Sequence, residues 1–175
     1  MKLAVAPTVE PLGPHHNRAA FTCGEPTLDA YIRRYASQDV RRRIAQVFVA
    51  VAGAPESIAG YYSLSAASFS REDLPSELAR QLPRYPVPAA ILGRLAVDRA
   101  WQGRGIAEFL LFDACERIFQ ASRSMAVYAV IVDAIDDRAR TFYERYGFQA
   151  FPETTNRLFL PLQTLERARR LSRTS

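Results

Sequence analysis

Gly103 and Gly105 punctuate the run Gln102-Gly103-Arg104-Gly105-Ile106-Ala107, which stands just ahead of an apolar helical pattern. Glycine lets the backbone come close to a ligand, and the first turn of a helix offers amide N–H groups that lack intrahelical acceptors. Such a nest attracts phosphate oxygens. A glycine pair before a helix also arises for steric reasons only, so the pair by itself is a weak signal. Dinucleotide-binding and P-loop readings fit less well. The spacing is wrong for the first, and the lysine followed by Ser or Thr is missing for the second. Arg94 is an odd residue in a strand otherwise made of leucine, alanine and valine. Burying a guanidinium without a partner is expensive, so it reaches solvent, a phosphate or a carboxylate. His15 and His16 invite a metal reading that is rejected here. Adjacent side chains on extended backbone point to opposite faces, and nothing nearby completes a ligand set. Trp101 is read as a brace for the glycine turn, with stacking on a ligand as the alternative.

Those residues need elements to hold them. After an N-terminal strand, Leu28, Tyr31, Ile32 and Tyr35 recur at helical spacing, and Pro26 suits a first turn, so a helix is expected from about residue 26 to 40 with Arg33 and Arg34 on its outer face. β-Branched and aromatic residues over 44–52 and 57–68 flank the turn Gly53-Ala54-Pro55-Glu56 and predict an antiparallel hairpin. Residues 71–88, with their prolines, read as an excursion. A buried strand follows over 89–98, then a helix over 105–122 whose Ile106, Phe109, Leu110, Ala114 and Ile118 face a sheet. Another strand spans 127–133. Asp136 or Asp137 caps a helix ended by Gly147, and 148–151 and 157–160 supply closing strands. The order is mixed α/β without an internal repeat.

The chain has 175 residues, 49% hydrophobic and 23% charged, the balance of a single globular domain rather than a disordered chain. We read 1–162 as that domain and 163–175 as a basic tail. The net charge is +5, and all but one of the 23 basic residues are arginine. That favours an anionic partner and suits phosphate recognition, although genome base composition explains an arginine bias equally well. Cys23 and Cys115 follow neither a metal-ligand nor a redox spacing, which points to a reduced compartment. No leader or membrane span is visible, so a cytoplasmic protein is expected.

Gln102-x-x-Gly105-x-Ala107 resembles the Gln/Arg-x-x-Gly-x-Gly/Ala signature of the GNAT superfamily of N-acetyltransferases. The run Leu92-Gly93-Arg94-Leu95-Ala96-Val97-Asp98 is similar to that family's central strand. The run Thr141-Phe142-Tyr143-Glu144-Arg145-Tyr146-Gly147-Phe148 is similar to its late helix. The resemblance implies a twisted, mostly antiparallel sheet of roughly six or seven strands with a central splay, flanked by about four helices. It implies acetyl-CoA as cosubstrate, with its diphosphate on Gln102, Gly103, Arg104, Gly105, Ile106 and Ala107 and its pantetheine arm along Leu95, Ala96 and Val97. No metal is implied. Phe21-Thr22-Cys23-Gly24 with Leu28, and Gly60-Tyr61-Tyr62-Ser63-Leu64-Ser65, further resemble the toxin branch of the family. Members of that branch pair with a ribbon-helix-helix antitoxin and acetylate the α-amino group of aminoacyl-tRNA. A homodimer is also implied.

Carried onto this chain, the match makes Tyr143 the general acid for the departing thiolate, where a core aromatic is the alternative. It makes a backbone N–H between Leu95 and Val97 the oxyanion donor. It also makes Arg94, Arg33, Arg34 and Arg84 contacts for RNA, with the 41–43 arginine run, Arg157 and the tail as further candidates. Many family members use a carboxylate on the central strand as general base, yet 91–97 contains none. An α-amino group with a pKa near 8, lowered further by an adjacent ester, is substantially neutral at pH 7 and needs no base, unlike a lysine near 10.4. Two other readings stay open: an N-acetyltransferase for a small amine, peptide or protein N-terminus, and a binding module without chemistry.

Overall fold

The computed structural model describes residues 6–154 and 156–174; the stretch 1–5, scanned above for a leader, lies outside them. Seven strands form one sheet in the order β1-β2-β3-β4-β5-β7-β6. They are β1 (Thr8–Pro11), β2 (Gln46–Val51), β3 (Ile58–Phe69), β4 (Val87–Val97), β5 (Ala129–Asp133), β6 (Gln149–Ala150) and β7 (Arg157–Pro161). The helices are α1 (Pro26–Ala30), α2 (Ala36–Arg41), α3 (Ser76–Ala79), α4 (Ile106–Ala121), α5 (Asp137–Arg145) and α6 (Leu162–Arg173). The sheet is mostly antiparallel, with β4 and β5 running parallel. No helix among the described residues is long and apolar enough to cross a membrane.

The residues sort into two compact units, Met1–Ser65 with Gly93–Ala114, and Ala66–Leu92 with Cys115–Ser175. In the first, β1 pairs with β2, and β2 with β3 through a register shift at Ala50/Val51. The expected helix over 26–40 exists, but it is wound as α1, a π-helical turn Tyr31–Tyr35, and α2. Pro26 stands in its first turn, where a missing N–H costs nothing. Phe21, Tyr31, Ile32, Val47, Val49, Tyr61 and Ala96 make the core beneath it, and the Tyr61 hydroxyl donates to the Leu28 carbonyl at 2.6 Å. Gly60 is required by a close approach, since a Cβ there would stand 2.8 Å from both the Ala96 carbonyl oxygen and Leu110 Cδ1.

In the second unit, β5 is wholly paired with β7, and Ala89–Leu92 of β4 pair with Ala129–Val132. Phe69, Leu74, Val87, Ile131, Phe151 and Phe159 fill its core. Asp136 caps α5 through its side chain, accepting from the Ala139 N–H, and Gly147 takes φ +93 just past its end. The basic tail is helical. α6 follows β7 directly, and Arg169 holds it by bonding Glu116 at 3.0 Å and stacking 3.9 Å from the Phe119 ring centre.

Candidate active site

The register of β4 with β5 ends at Leu92↔Val132, while β4 itself continues to Val97. Asp98 closes the strand. Its N–H donates to the Ala59 carbonyl at 2.8 Å, and its carboxylate accepts from the Ala100 N–H at 2.9 Å and the Thr22 N–H at 3.0 Å. A 3-10 turn, Arg99–Trp101, leads from there into the glycine run.

Gly103 and Gly105 have φ +76 and +84. Apart from their own neighbours, no described atom lies within 4 Å of where either Cβ would be. Both glycines are thus demanded by conformation and not by crowding. The first α-helical bond of α4 runs from the Phe109 N–H to the Gly105 carbonyl at 3.1 Å, so the amides of Ile106, Ala107 and Glu108 precede it and have no such acceptor among the described residues, the condition for an anion site. Ile106 is buried and anchors the helix start, whereas 102–105 are exposed. Arg104 adds positive charge, its guanidinium 5.0 Å from the centre of the Trp101 ring. Trp101 in turn reaches 3.9 Å from the Cβ position of Gly53 in the β2–β3 turn, consistent with its reading as a brace.

The Gln102 Nε2 donates to the Cys23 carbonyl at 2.8 Å and to the Val97 carbonyl at 2.9 Å, so its side-chain amide ties the turn to its neighbours. Arg94 forms no ion pair among the described residues and lies half-buried, with its guanidinium 3.6 Å from the centre of the Tyr31 ring. The Tyr31 hydroxyl donates to Asp39 at 3.0 Å. Burial first, then the Asp39 bond, pushes that phenol up to about 12, with Arg94 opposing. Arg33 is exposed, yet its guanidinium donates to the Phe21 carbonyl. Arg34 and Arg84 are exposed, each within its own unit. Arg157 is committed to Asp133 through two bonds of 2.8 and 2.9 Å, which removes it from the free cations.

Tyr143, on α5, is only 7% exposed, with its ring edge-on to Phe142 and Phe148 at 5.3 and 5.4 Å between centres. Its hydroxyl has no hydrogen-bond partner among the described residues. Burial, with a smaller contribution from Cys115, raises its pKa, so it is fully protonated at neutral pH. The same side chain therefore packs and retains an uncommitted proton.

The ground for rejecting a metal at His15 and His16 fails. Residues 14–16 form a turn, not extended backbone, and both Nε2 atoms converge on Glu10 Oε1, at 3.2 Å from His15 and 2.6 Å from His16. The hydrogen bonding still opposes a ligand role. His16 is buried and its Nδ1 accepts from the Gly13 N–H at 2.9 Å, so its Nε2 carries a hydrogen and donates it to Glu10. A metal would need that lone pair. The bonds from His16 and then His15 hold the Glu10 carboxyl below its ordinary range.

Asp29 and Asp98 escaped the sequence reading. Asp98 had a usable signal, an Asx residue at the junction of a strand and a turn. Asp29 had none, because its partners, the Cys23 N–H at 2.8 Å and the Thr22 hydroxyl at 3.3 Å, are set by the path of a loop.

Comparison with known proteins fits this arrangement. A family model described as an acetyltransferase (GNAT) domain matches residues 43–150. The chain is 38% identical over 141 residues to the tRNA-acetylating toxin of Mycobacterium tuberculosis, covering 81% of this chain and 83% of that protein. It is 30% identical over 166 residues to the probable toxin TacT of Sinorhizobium fredii, covering 90% and 92%. Among solved structures, AtaT complexed with acetyl-methionyl-tRNAfMet aligns with a TM-score of 0.86 at 30% identity, over 93% of this chain and 98% of that one. A Tyr-to-Phe mutant of AtaT bound to the C-terminus of the antitoxin AtaR and acetyl-CoA aligns with a TM-score of 0.80 at 27% identity, over 94% and 98%. Because the matched segment carries the carboxylate-free strand, the glycine turn and the tyrosine-bearing helix alike, this chain belongs to the GNAT acetyltransferases.

Proposed function

We propose that this N-acetyltransferase moves the acetyl group of acetyl-CoA onto the α-amino group of aminoacyl-tRNA, and that it acts as a toxin by blocking peptide-bond formation. The observation that carries the reading is that residues 91–97, the run similar to the family's central strand, contain no carboxylate, while Tyr143 on its own element keeps a protonated hydroxyl. A site that can donate a proton but has no base on its central strand suits an amine already neutral at pH 7, and an aminoacyl ester is such an amine. A relative named as a tRNA-acetylating toxin, and the structure of AtaT complexed with acetyl-methionyl-tRNAfMet, support the choice of acceptor.

The amides of Gly103, Arg104, Gly105, Ile106 and Ala107, with the Arg104 charge beside them, hold the diphosphate of acetyl-CoA. The Gln102 side chain fixes the turn that presents them. The backbone of Leu95, Ala96 and Val97 bonds the pantetheine arm, and one of its N–H groups stabilises the oxyanion. The amine nitrogen attacks the thioester carbonyl carbon, the carbon–sulfur bond then breaks, and Tyr143 gives its proton to the leaving sulfur. The proton lost by the amine passes to solvent, from which the phenolate is reprotonated. Arg94 on Tyr31, with Arg33, Arg34 and Arg84, contacts the RNA. Residues 1–162 act as one catalytic domain. An antitoxin neutralises it, a reading supported by the complex of AtaT with the C-terminus of the antitoxin AtaR; the antitoxin of this chain is of the ribbon-helix-helix type, and two copies of the chain form a dimer. An acceptor of this kind implies a cytoplasmic site of action.

The test is transfer of labelled acetate from acetyl-CoA to charged tRNA. Wild type should label the aminoacyl group, and Tyr143→Phe should lower kcat by about 100-fold or more while leaving the fold intact. Label that appears only on free amines or peptides, and never on aminoacyl-tRNA, overturns the reading.

A further inference from the structure

Phe21, Thr22 and Cys23 form a strap between β1 and α1 whose every backbone polar group is accounted for. The Phe21 N–H donates to the Arg18 carbonyl at 3.2 Å, and the Phe21 carbonyl accepts from the Arg33 guanidinium. The Thr22 N–H donates to Asp98 at 3.0 Å, and the Thr22 carbonyl accepts from the Arg99 N–H at 2.8 Å. The Cys23 N–H donates to Asp29 Oδ1 at 2.8 Å, and the Cys23 carbonyl accepts from Gln102 Nε2 at 2.8 Å. Half of these bonds end on Asp98, Arg99 and Gln102, the turn that leads into the glycine nest. Gly24, at φ +96, continues the strap beneath the Arg99 guanidinium, which comes within 3.1 Å of its Cβ position.

The nest cannot hold its own shape. Gly103 and Gly105 are exposed and meet no packing atoms, so their conformation is imposed from the two ends of the run. Ile106, buried, secures the far end. The near end is secured by Gln102 and Asp98, both bonded to the strap. The strap is pinned from its other side by Asp29, which is 8% exposed and spends one carboxylate oxygen on the Cys23 N–H and the other on the Thr22 hydroxyl. Asp29 makes no bond to the turn itself.

We propose that Asp29 is a positioning residue for the coenzyme: by anchoring the strap it fixes the turn Asp98–Gln102, and through that turn the direction of the amides that bind the diphosphate. The proposal rests on reading Gly103–Ala107 as the acetyl-CoA site. Removing the carboxylate leaves a half-buried N–H and hydroxyl unmatched, frees the strap and randomises the near end of the nest. The loss falls on coenzyme binding and not on the chemical step.

Calorimetric titration of CoA into wild type, Asp29→Ala and Asp29→Asn, with steady-state kinetics on each, tests it. Asp29→Ala should raise the CoA Kd and the acetyl-CoA KM about tenfold with kcat at saturation within about twofold of wild type. Asp29→Asn keeps an oxygen for the Cys23 N–H and should recover binding to within about threefold. A role in stability alone would lower the melting temperature of the alanine variant without moving either constant well below that temperature. A folded Asp29→Ala protein that binds CoA like wild type overturns the proposal. If the alanine variant does not fold, hydrogen exchange in wild type decides. Because coupling is reciprocal, saturating CoA should slow exchange at the Thr22 and Cys23 amides, and unchanged rates there overturn it. Wild type that takes up no CoA at all overturns instead the coenzyme site on which the proposal depends.

Discussion

Arg94 carries its charge over an aromatic face, 3.6 Å from the centre of the Tyr31 ring, while its neighbours on β4 are apolar. A planar guanidinium lies flat on a ring, and an ammonium does not reproduce that contact. In the proposed reaction the exposed side of this guanidinium meets the RNA end of the acceptor. Arg94→Lys should therefore raise KM for aminoacyl-tRNA several-fold and leave KM for acetyl-CoA unchanged, as initial rates with each substrate varied in turn will report. Asp29 gives a residue-level prediction of another kind. Burial pushes its carboxyl up, but the Cys23 N–H, the Cys23 thiol, Arg33 and the Thr22 hydroxyl outweigh burial, and the net direction is down. A carboxyl lowered in the folded state contributes stability that is complete above its unfolded value and is lost as pH falls through the folded value. Asp29→Asn should thus cost about 1 kcal/mol at pH 7, with the difference from wild type shrinking only below about pH 4. Urea unfolding at pH 7, 5 and 3 checks both size and sign.

At the level of elements, two glycines separate conformation from crowding. Gly105 has φ +84 and open space, so Gly105→Ala meets only the left-handed backbone cost of about 1–2 kcal/mol. Gly60 has ordinary backbone but would press a methyl group to 2.8 Å from the Ala96 carbonyl and Leu110, an overpacking cost of about 1–3 kcal/mol borne by β3, β4 and α4 together. Gly105→Ala should weaken CoA binding more than it lowers the melting temperature, and Gly60→Ala the reverse. Calorimetry paired with thermal unfolding distinguishes them. The same contrast explains what the sequence made legible. Helix 26–40, the hairpin, the Asp136 cap and the Gly147 stop are written in local signals of periodicity, capping and turn chemistry, and the folded chain keeps them. The π-turn at Tyr31–Tyr35 left no such mark, since an extra residue in a helical turn is selected by packing and not by any residue type. Gln102 was legible as part of a signature but not as a tie, because Cys23 lies 79 positions away and only the tertiary path brings them together. The turn that joins Glu10, His15 and His16 was hidden for a related reason: alternation of side chains holds only while the backbone stays extended.

Across the whole chain the net charge of +5 is carried almost wholly by arginine, but the folded protein divides those arginines into two groups. Arg71, Arg157, Arg169 and Arg170 are matched with carboxylates. Arg34, Arg41, Arg42 and Arg43 are exposed and form no ion pair among the described residues, and Arg43 even holds φ +59, a backbone state that glycine would adopt more easily. Only unmatched cations can exchange solution counterions for phosphates, so unmatched arginines such as these should govern the salt dependence of acceptor binding. On single-stranded or duplex RNA each lost phosphate contact should reduce the slope of log KM against log salt by about 0.7–0.9. Replacing Arg41, Arg42 and Arg43 with serine should flatten the slope measured with aminoacyl-tRNA, while replacing Arg157 should lower stability and leave the slope alone. The KM for acetyl-CoA, held by backbone amides, should respond to salt far less in either protein. Slopes for aminoacyl-tRNA that stay equal after loss of all three arginines would show that the acceptor is held elsewhere, and Arg33, Arg34 and Arg84 would then be the next cations to remove.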